Sequence, residues 1–163
     1  MRSSSEVHGQ VHPHQLGSKL SIRVHDALPP AESAIVDDGI GRSNAEAAPL
    51  HEVTPLSCFA HSERGDVIGG AVGRCWGHCC ELQQLWVDPA HRRHGIGTRL
   101  IGAFEARAQA RGCTIYYLET FSFQAPHWYR SLGYVAACEL KLYPHAITRF
   151  IMVKHTVPAS AAP

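Results

Sequence analysis

One run of the chain is ordered as a device for holding an anion: Leu85, Trp86, Val87, Asp88, Pro89, Ala90, His91, Arg92, Arg93, His94, Gly95, Ile96, Gly97, Thr98, Arg99 and Leu100. Apolar residues end a strand, Pro89 stops it, a basic turn follows, and two glycines open a helix. Glycine lets the backbone approach a ligand closely. The first turn of a helix offers unpaired N–H groups at the positive end of its dipole. A diphosphate is the natural guest. Two familiar diphosphate sites do not fit. A dinucleotide fingerprint needs a third glycine where Leu100 stands, and a P-loop needs a Gly-Lys-Ser/Thr that is absent. The plain alternative is a glycine turn that serves only tight helix packing.

A second run begins about thirty residues later: Phe121, Ser122, Phe123, Gln124, Ala125, Pro126, His127, Trp128, Tyr129, Arg130, Ser131, Leu132, Gly133 and Tyr134. Alone, it reads as a short helix with aromatics in the core, Pro126 early and Gly133 as a left-handed stop. Tyr129 offers a phenol. With a pKa above that of a thiol, it keeps its proton until a departing thiolate needs it. His127 reads either as a lining residue of the site or, the preferred reading, as a solvated side chain.

Taken together, the two runs resemble motifs A and B of the GCN5-related N-acetyltransferase (GNAT) family. Arg92, Gly95 and Gly97 match Gln/Arg-x-x-Gly-x-Gly/Ala. Ala125, Trp128, Tyr129, Gly133 and Tyr134 match Ala-x-x-Phe-Tyr-x-x-x-Gly-Phe, with Trp128 in place of the first Phe and Tyr134 in place of the last. The resemblance spans roughly residues 19–156 and is weakest before Val67. It implies an α/β (mixed α+β) fold with a single central mixed, mostly antiparallel sheet and helices on both faces. It also implies acetyl-CoA as cosubstrate, no metal, and a primary amine as acceptor. The donor would lie in a gap between the strand ending at Val87 and the strand ending at Leu118. Its pyrophosphate would rest on Arg93, His94, Gly95, Ile96, Gly97 and Thr98, with Arg92 also in the cofactor site. Its pantetheine would pair with the edge at Leu85, Trp86 and Val87, and Gln124 and Tyr129 would complete the pocket. By the same resemblance Tyr129 is the general acid and the Val87 N–H the oxyanion donor.

Acetyl transfer to an amine also needs the amine neutral before it attacks. Glu81, eleven residues before Arg92, matches the position of the base in some family members. Strict alternation would put Glu81, Gln83, Leu85 and Val87 on one face. Glu119, at the end of the next strand, and a water chain are the other readings. An exposed strand glutamate is the plain reading of Glu81. Cys75, His78, Cys79 and Cys80 crowd soft ligands together, but no spacing matches a zinc site and neighbouring strand residues point to opposite faces. Cys79 and Cys80 are also poor nucleophile candidates, since the family transfers the acetyl group directly.

The remaining elements must position these groups. With 163 residues, 45% apolar and 18% charged, the chain suits one globular domain. A net charge of +1 argues against bulk attraction to nucleic acid or a membrane surface, although the 12 histidines would make the protein positive in mild acid. No apolar signal segment opens the chain, so the cytoplasm is the default and the six cysteines read as reduced thiols. Residues 1–18 read as a mobile tail, 19–157 as the acetyltransferase domain and 158–163 as a frayed end. The pattern predicts a first strand at 19–25, a helix at 31–40 closed by Gly39 and Gly41, and a polar loop at 42–54. Strands follow at 56–61, 67–75 and 79–87, a helix at 96–111, a strand at 113–118, a helix at 126–132, and strands at 134–142 and 147–155. The 42–54 loop and the 143–148 segment would line the acceptor pocket. Neither is strongly acidic, although Asp37, Asp38, Glu46 and Glu52 lie near the first. The acceptor reads as a small molecule, with a protein amine and a non-catalytic acyl-CoA sensor as rivals. A homodimer stays open.

Overall fold

The computed structural model describes residues 20–157. The tails predicted at 1–18 and 158–163, and Lys19, lie outside the described residues. The chain divides into two units, residues 1–41 and 42–163.

In the first unit the predicted strand at 19–25 is not found. Residues 20–25 join no ladder. Alternation makes a strand possible, but a strand also needs a partner for its backbone groups. Helix α1 spans Pro30–Ala47, beyond the predicted stop. Gly39 and Gly41 do not adopt the left-handed conformation that would end a helix. The helix gives out instead just before Pro49, whose ring disfavours a helical residue ahead of it. The expected loop at 42–54 is therefore corrected: it is the end of α1, a 3-10 turn at Leu50–Glu52 and the start of β1.

The second unit carries one mixed sheet. Its strands are β1 (Thr54–His61), β2 (Val67–Trp76), β3 (Cys79–Val87), β4 (Ile115–Phe121), β5 (Val135–Leu140) and β6 (Arg149–His155), in spatial order β1-β2-β3-β4-β6-β5. Only β3 and β4 run parallel. Parallel neighbours need a crossover, and α2 (Ile96–Ala110) supplies it. The short α3 (Pro126–Ser131) follows β4.

Leu100, Ile101, Phe104 and Ala108 of α2 and Tyr129 of α3 share one core with Ala71, Cys80, Leu82, Tyr116, Leu118, Phe150 and Met152 of the sheet. Both helices therefore cover the same face. A half-buried tie reinforces it: Glu105 on α2 accepts from the Tyr134 hydroxyl at 2.9 Å and from Lys154 Nζ at 2.6 Å. Among the described residues no helix is long and apolar enough to cross a membrane.

The sheet is irregular where it matters. The β2–β3 register slips between Val72 and Gly73, so Gln83 is an extra residue on β3. Such a bulge flips the alternation beyond it. Cys80 and Leu82 are buried before it, and Leu85 and Val87 pack on the same core after it. Gly73 makes the bulge possible. A Cβ there would overlap the Glu81 carbonyl oxygen and lie 2.9 Å from Phe104 Cζ. Gly73→Ala is expected to destabilise the fold by more than about 3 kcal/mol. Gly102→Ala, on a helix turn with nothing within 4 Å, should gain up to about 1 kcal/mol. Urea unfolding of the two variants checks both signs.

Candidate active site

The parallel ladder of β3 and β4 is short. It joins Cys79, Cys80, Glu81 and Leu82 to Ile115, Tyr116, Tyr117 and Leu118, and then stops. Beyond it the strands separate, and a cleft of about 1160 Å³ opens between them. Its walls run from Leu82 to Val87 on one side and through Leu118, Glu119 and Thr120 to the 122–129 segment on the other. The Asp88 N–H donates to the Ile68 carbonyl at 2.9 Å, opposite it across the β2–β3 pair. In an antiparallel pair such bonds alternate, so the amides of Leu85 and Val87 point away from β2, toward the side that β4 has left.

The floor is the basic turn. Asp88 closes a 3-10 turn at Pro89–His91 by accepting from the Ala90 N–H at 2.8 Å. Arg92 Nε reaches back to the Val87 carbonyl at 2.9 Å, which ties the turn to the strand end. Arg93 and Gly95 both take left-handed backbone, with φ of 63° and 76°. Among the described residues no acceptor meets the amides of Arg93, His94, Gly95, Ile96, Gly97 or Thr98; the first helical bond of α2 runs from Arg99 to Gly95. Six successive amides are thus left without a protein partner, five of their residues line the cleft, and nothing lies within 4 Å of where a Gly95 Cβ would stand. A diphosphate fits that donor set. Gly97 is different. A Cβ there would sit 3.4 Å from the Trp128 ring, so this glycine lets α3 approach α2.

Tyr129 lies at the far wall. It is 9% exposed, and its ring packs against Trp128 at 5.0 Å and edge-on to Tyr134 at 5.9 Å. Its hydroxyl has no hydrogen-bond partner among the described residues, while the side chain lines the cleft. Burial pushes its pKa up to about 12. Gln124 accepts through its side-chain oxygen from the Thr120 hydroxyl at 3.0 Å and the Phe121 N–H at 2.8 Å, which locks the turn after β4. Its amide nitrogen is not used there.

Of the two candidate bases, Glu119 lines the cleft and Glu81 does not. The face-sharing expected for Glu81, Gln83, Leu85 and Val87 fails because of the bulge. Glu81 projects on the face opposite Leu82, where Arg74 Nε holds its carboxylate at 2.6 Å and Tyr117 is its neighbour across the ladder. Glu119 pairs with Arg149. Sequence reasoning passed over Gln84, Thr120, Ser122, Phe123 and Trp128 as cleft residues. Gly73 inside a strand signalled the bulge that turns Gln84.

Cys75 and Cys80 face each other with sulfurs 3.5 Å apart in the core, and Cys113 is buried beside them. Burial raises the Cys80 thiol far above its ordinary range, and burial together with Cys75 raises Cys113 to about 11. Neither is a nucleophile at neutral pH.

The comparisons with known proteins agree with this geometry. A family model described as the acetyltransferase (GNAT) family matches residues 24–134. A blasticidin-S acetyltransferase of Streptomyces morookaense is 40% identical, over 65% of this chain and 81% of its own. A streptothricin acetyltransferase of Streptomyces lavendulae is 30% identical, over 76% of this chain and 67% of its own. A crystal structure of an acetyltransferase from Bacillus cereus ATCC 14579 superposes with a TM-score of 0.68 at 23% identity, covering 82% of this chain and 98% of that one. The last comparison speaks for the fold, the first three for descent: the chain belongs to the GNAT family of acetyltransferases.

Proposed function

We propose that this chain transfers the acetyl group of acetyl-CoA directly to the primary amine of a small molecule of the aminated-antibiotic kind. The observation that carries the reading is the cleft where β3 and β4 part, with free strand amides, an amide cradle and a buried phenol on its walls. The small-molecule acceptor is supported by the blasticidin-S and streptothricin acetyltransferases, both of which act on antibiotics by name.

The cradle from Arg93 to Thr98 binds the pyrophosphate, and Arg92 holds the turn in register with the strand. The amides of Leu85 and Val87 pair with the pantetheine, and that of Val87 meets the negative charge that grows on the thioester oxygen. Glu119 takes the proton of the amine, directly or through water. It is the better base than Glu81 because it lines the cleft. Tyr129 gives its proton to the departing thiolate. A cytoplasmic setting suits the free state of all six cysteines.

The test is a thiol-release assay with acetyl-CoA against blasticidin S, streptothricin, simple primary amines and peptides. Release is expected with small amines. Release with peptides alone would replace the reading with a protein acetyltransferase, and tight CoA binding without release would make the protein a sensor.

A further inference from the structure

An aromatic cluster with no role in the chemistry above reaches the cleft through Phe123. Phe121 and Phe123 stack nearly parallel, with ring centres 5.3 Å apart and planes 9° from each other. Tyr143 meets Phe121 edge-on at 5.5 Å. The Arg149 guanidinium lies 5.9 Å from the Phe121 ring centre and is neutralised by Glu119.

This cluster is held in place. The Ser122 N–H donates to the Thr148 carbonyl at 2.8 Å, and the Thr148 N–H donates to the Ser122 hydroxyl at 3.2 Å. The Gln124 lock grips the same turn from its other side. Phe123 nevertheless stays 67% exposed while lining the cleft together with Glu119. A phenylalanine on a rigid turn, backed by a second ring and open on its other side, offers a flat π face to whatever enters. Single exposed apolar residues need no explanation, but a preorganised stack beside the proposed base does.

We propose that Phe123, backed by Phe121 and Tyr143, is a stacking platform for a flat aromatic or heteroaromatic ring of the acceptor, and so determines specificity. The proposal rests on the acetyl-transfer reading of the same cleft. The occupant is flat because a saturated ring buries similar area but gains none of the ring-on-ring attraction. It is neutral at the ring because the neighbouring Arg149 and Glu119 charges cancel each other.

The experiment compares phenethylamine with cyclohexylethylamine, which share an amine and a spacer and differ in ring character. Turnover with acetyl-CoA and calorimetric binding to the CoA-saturated full chain are both measured, for the natural protein, Phe123→Leu and Phe123→Tyr. The natural protein is expected to favour the aryl amine about fivefold, mostly in KM. Phe123→Leu should bring the ratio to about one, and Phe123→Tyr should restore it. An equal ratio in the natural protein, a ratio unchanged in Phe123→Leu, or no binding of either amine overturns the platform. Turnover without preference leaves acetyl transfer standing and removes the platform alone. A binding preference without turnover of any amine does the reverse.

Discussion

Tyr129→Phe is expected to lower kcat about 100-fold and to change acetyl-CoA affinity little. The substitution keeps the ring that packs on Trp128 and Tyr134 and removes only the hydroxyl, which has no partner among the described residues to lose. The cost therefore falls on the step in which sulfur leaves. A phenol pushed up to about 12 by burial looks too weak to protonate a thiolate whose ordinary thiol pKa is about 8.5. The same desolvation raises the proton affinity of a thiolate formed inside the cleft, so donor and acceptor shift together. The pH dependence follows from the sign of the shift. Burial disfavours the phenolate, so Tyr129 keeps its proton well above the usual value of about 10. Its share of catalysis persists through pH 9 to 10, roughly where an ordinary tyrosine would begin to ionise. Its contribution to folding runs the same way: full below about 10, lost as pH rises through about 12. Steady-state kinetics at several pH values, with CoA calorimetry beside them, check the result. An unchanged kcat in Tyr129→Phe removes Tyr129 from the acid role.

Gly95→Val is expected to abolish measurable CoA binding. Two effects act together. A β-branched side chain strains backbone at φ 76°, and its methyls enter the open space beside the unpartnered amides. Displacing a diphosphate from even two of those charge-assisted hydrogen bonds weakens binding more than about 100-fold. Gly95→Asn separates the effects, because asparagine tolerates left-handed backbone and so tests occupancy of the cradle with less strain. Calorimetry with CoA on variants shown to be folded by thermal melting is the measurement. Retained affinity in Gly95→Val would move the diphosphate elsewhere.

What could be read in advance was whatever a local pattern encodes. Leu100, Phe104 and Ala108 stand four residues apart and, with Ile101, form the buried stripe of α2, and Gly95, Gly112 and Gly133 all sit in left-handed backbone. Tyr129 and the cradle could be picked out because short runs carry them. What failed depends on distant partners. Residues 20–25 alternate correctly but find no neighbouring strand, and Gly39 and Gly41 punctuate nothing because no turn forms there. Glu81 was assigned to the wrong face because a one-residue slip against Gly73, set across the sheet, shifts every side chain beyond it. The partner of Glu81, Arg74, comes from that same neighbouring strand.

The four-residue ladder between β3 and β4 has a further meaning. The sheet is two antiparallel halves, β1-β2-β3 and β4-β6-β5, and this ladder is the only hydrogen-bonded seam between them among the described residues. Where the strands part the seam ends, so the shortest ladder of the sheet lies in line with the cleft. A molecule seated there touches both halves and acts as a brace. Its binding free energy adds to the resistance of the whole sheet to opening, by an amount that grows with the logarithm of its concentration. A compound that occupies the cleft is therefore expected to raise the melting temperature of the protein as its concentration rises.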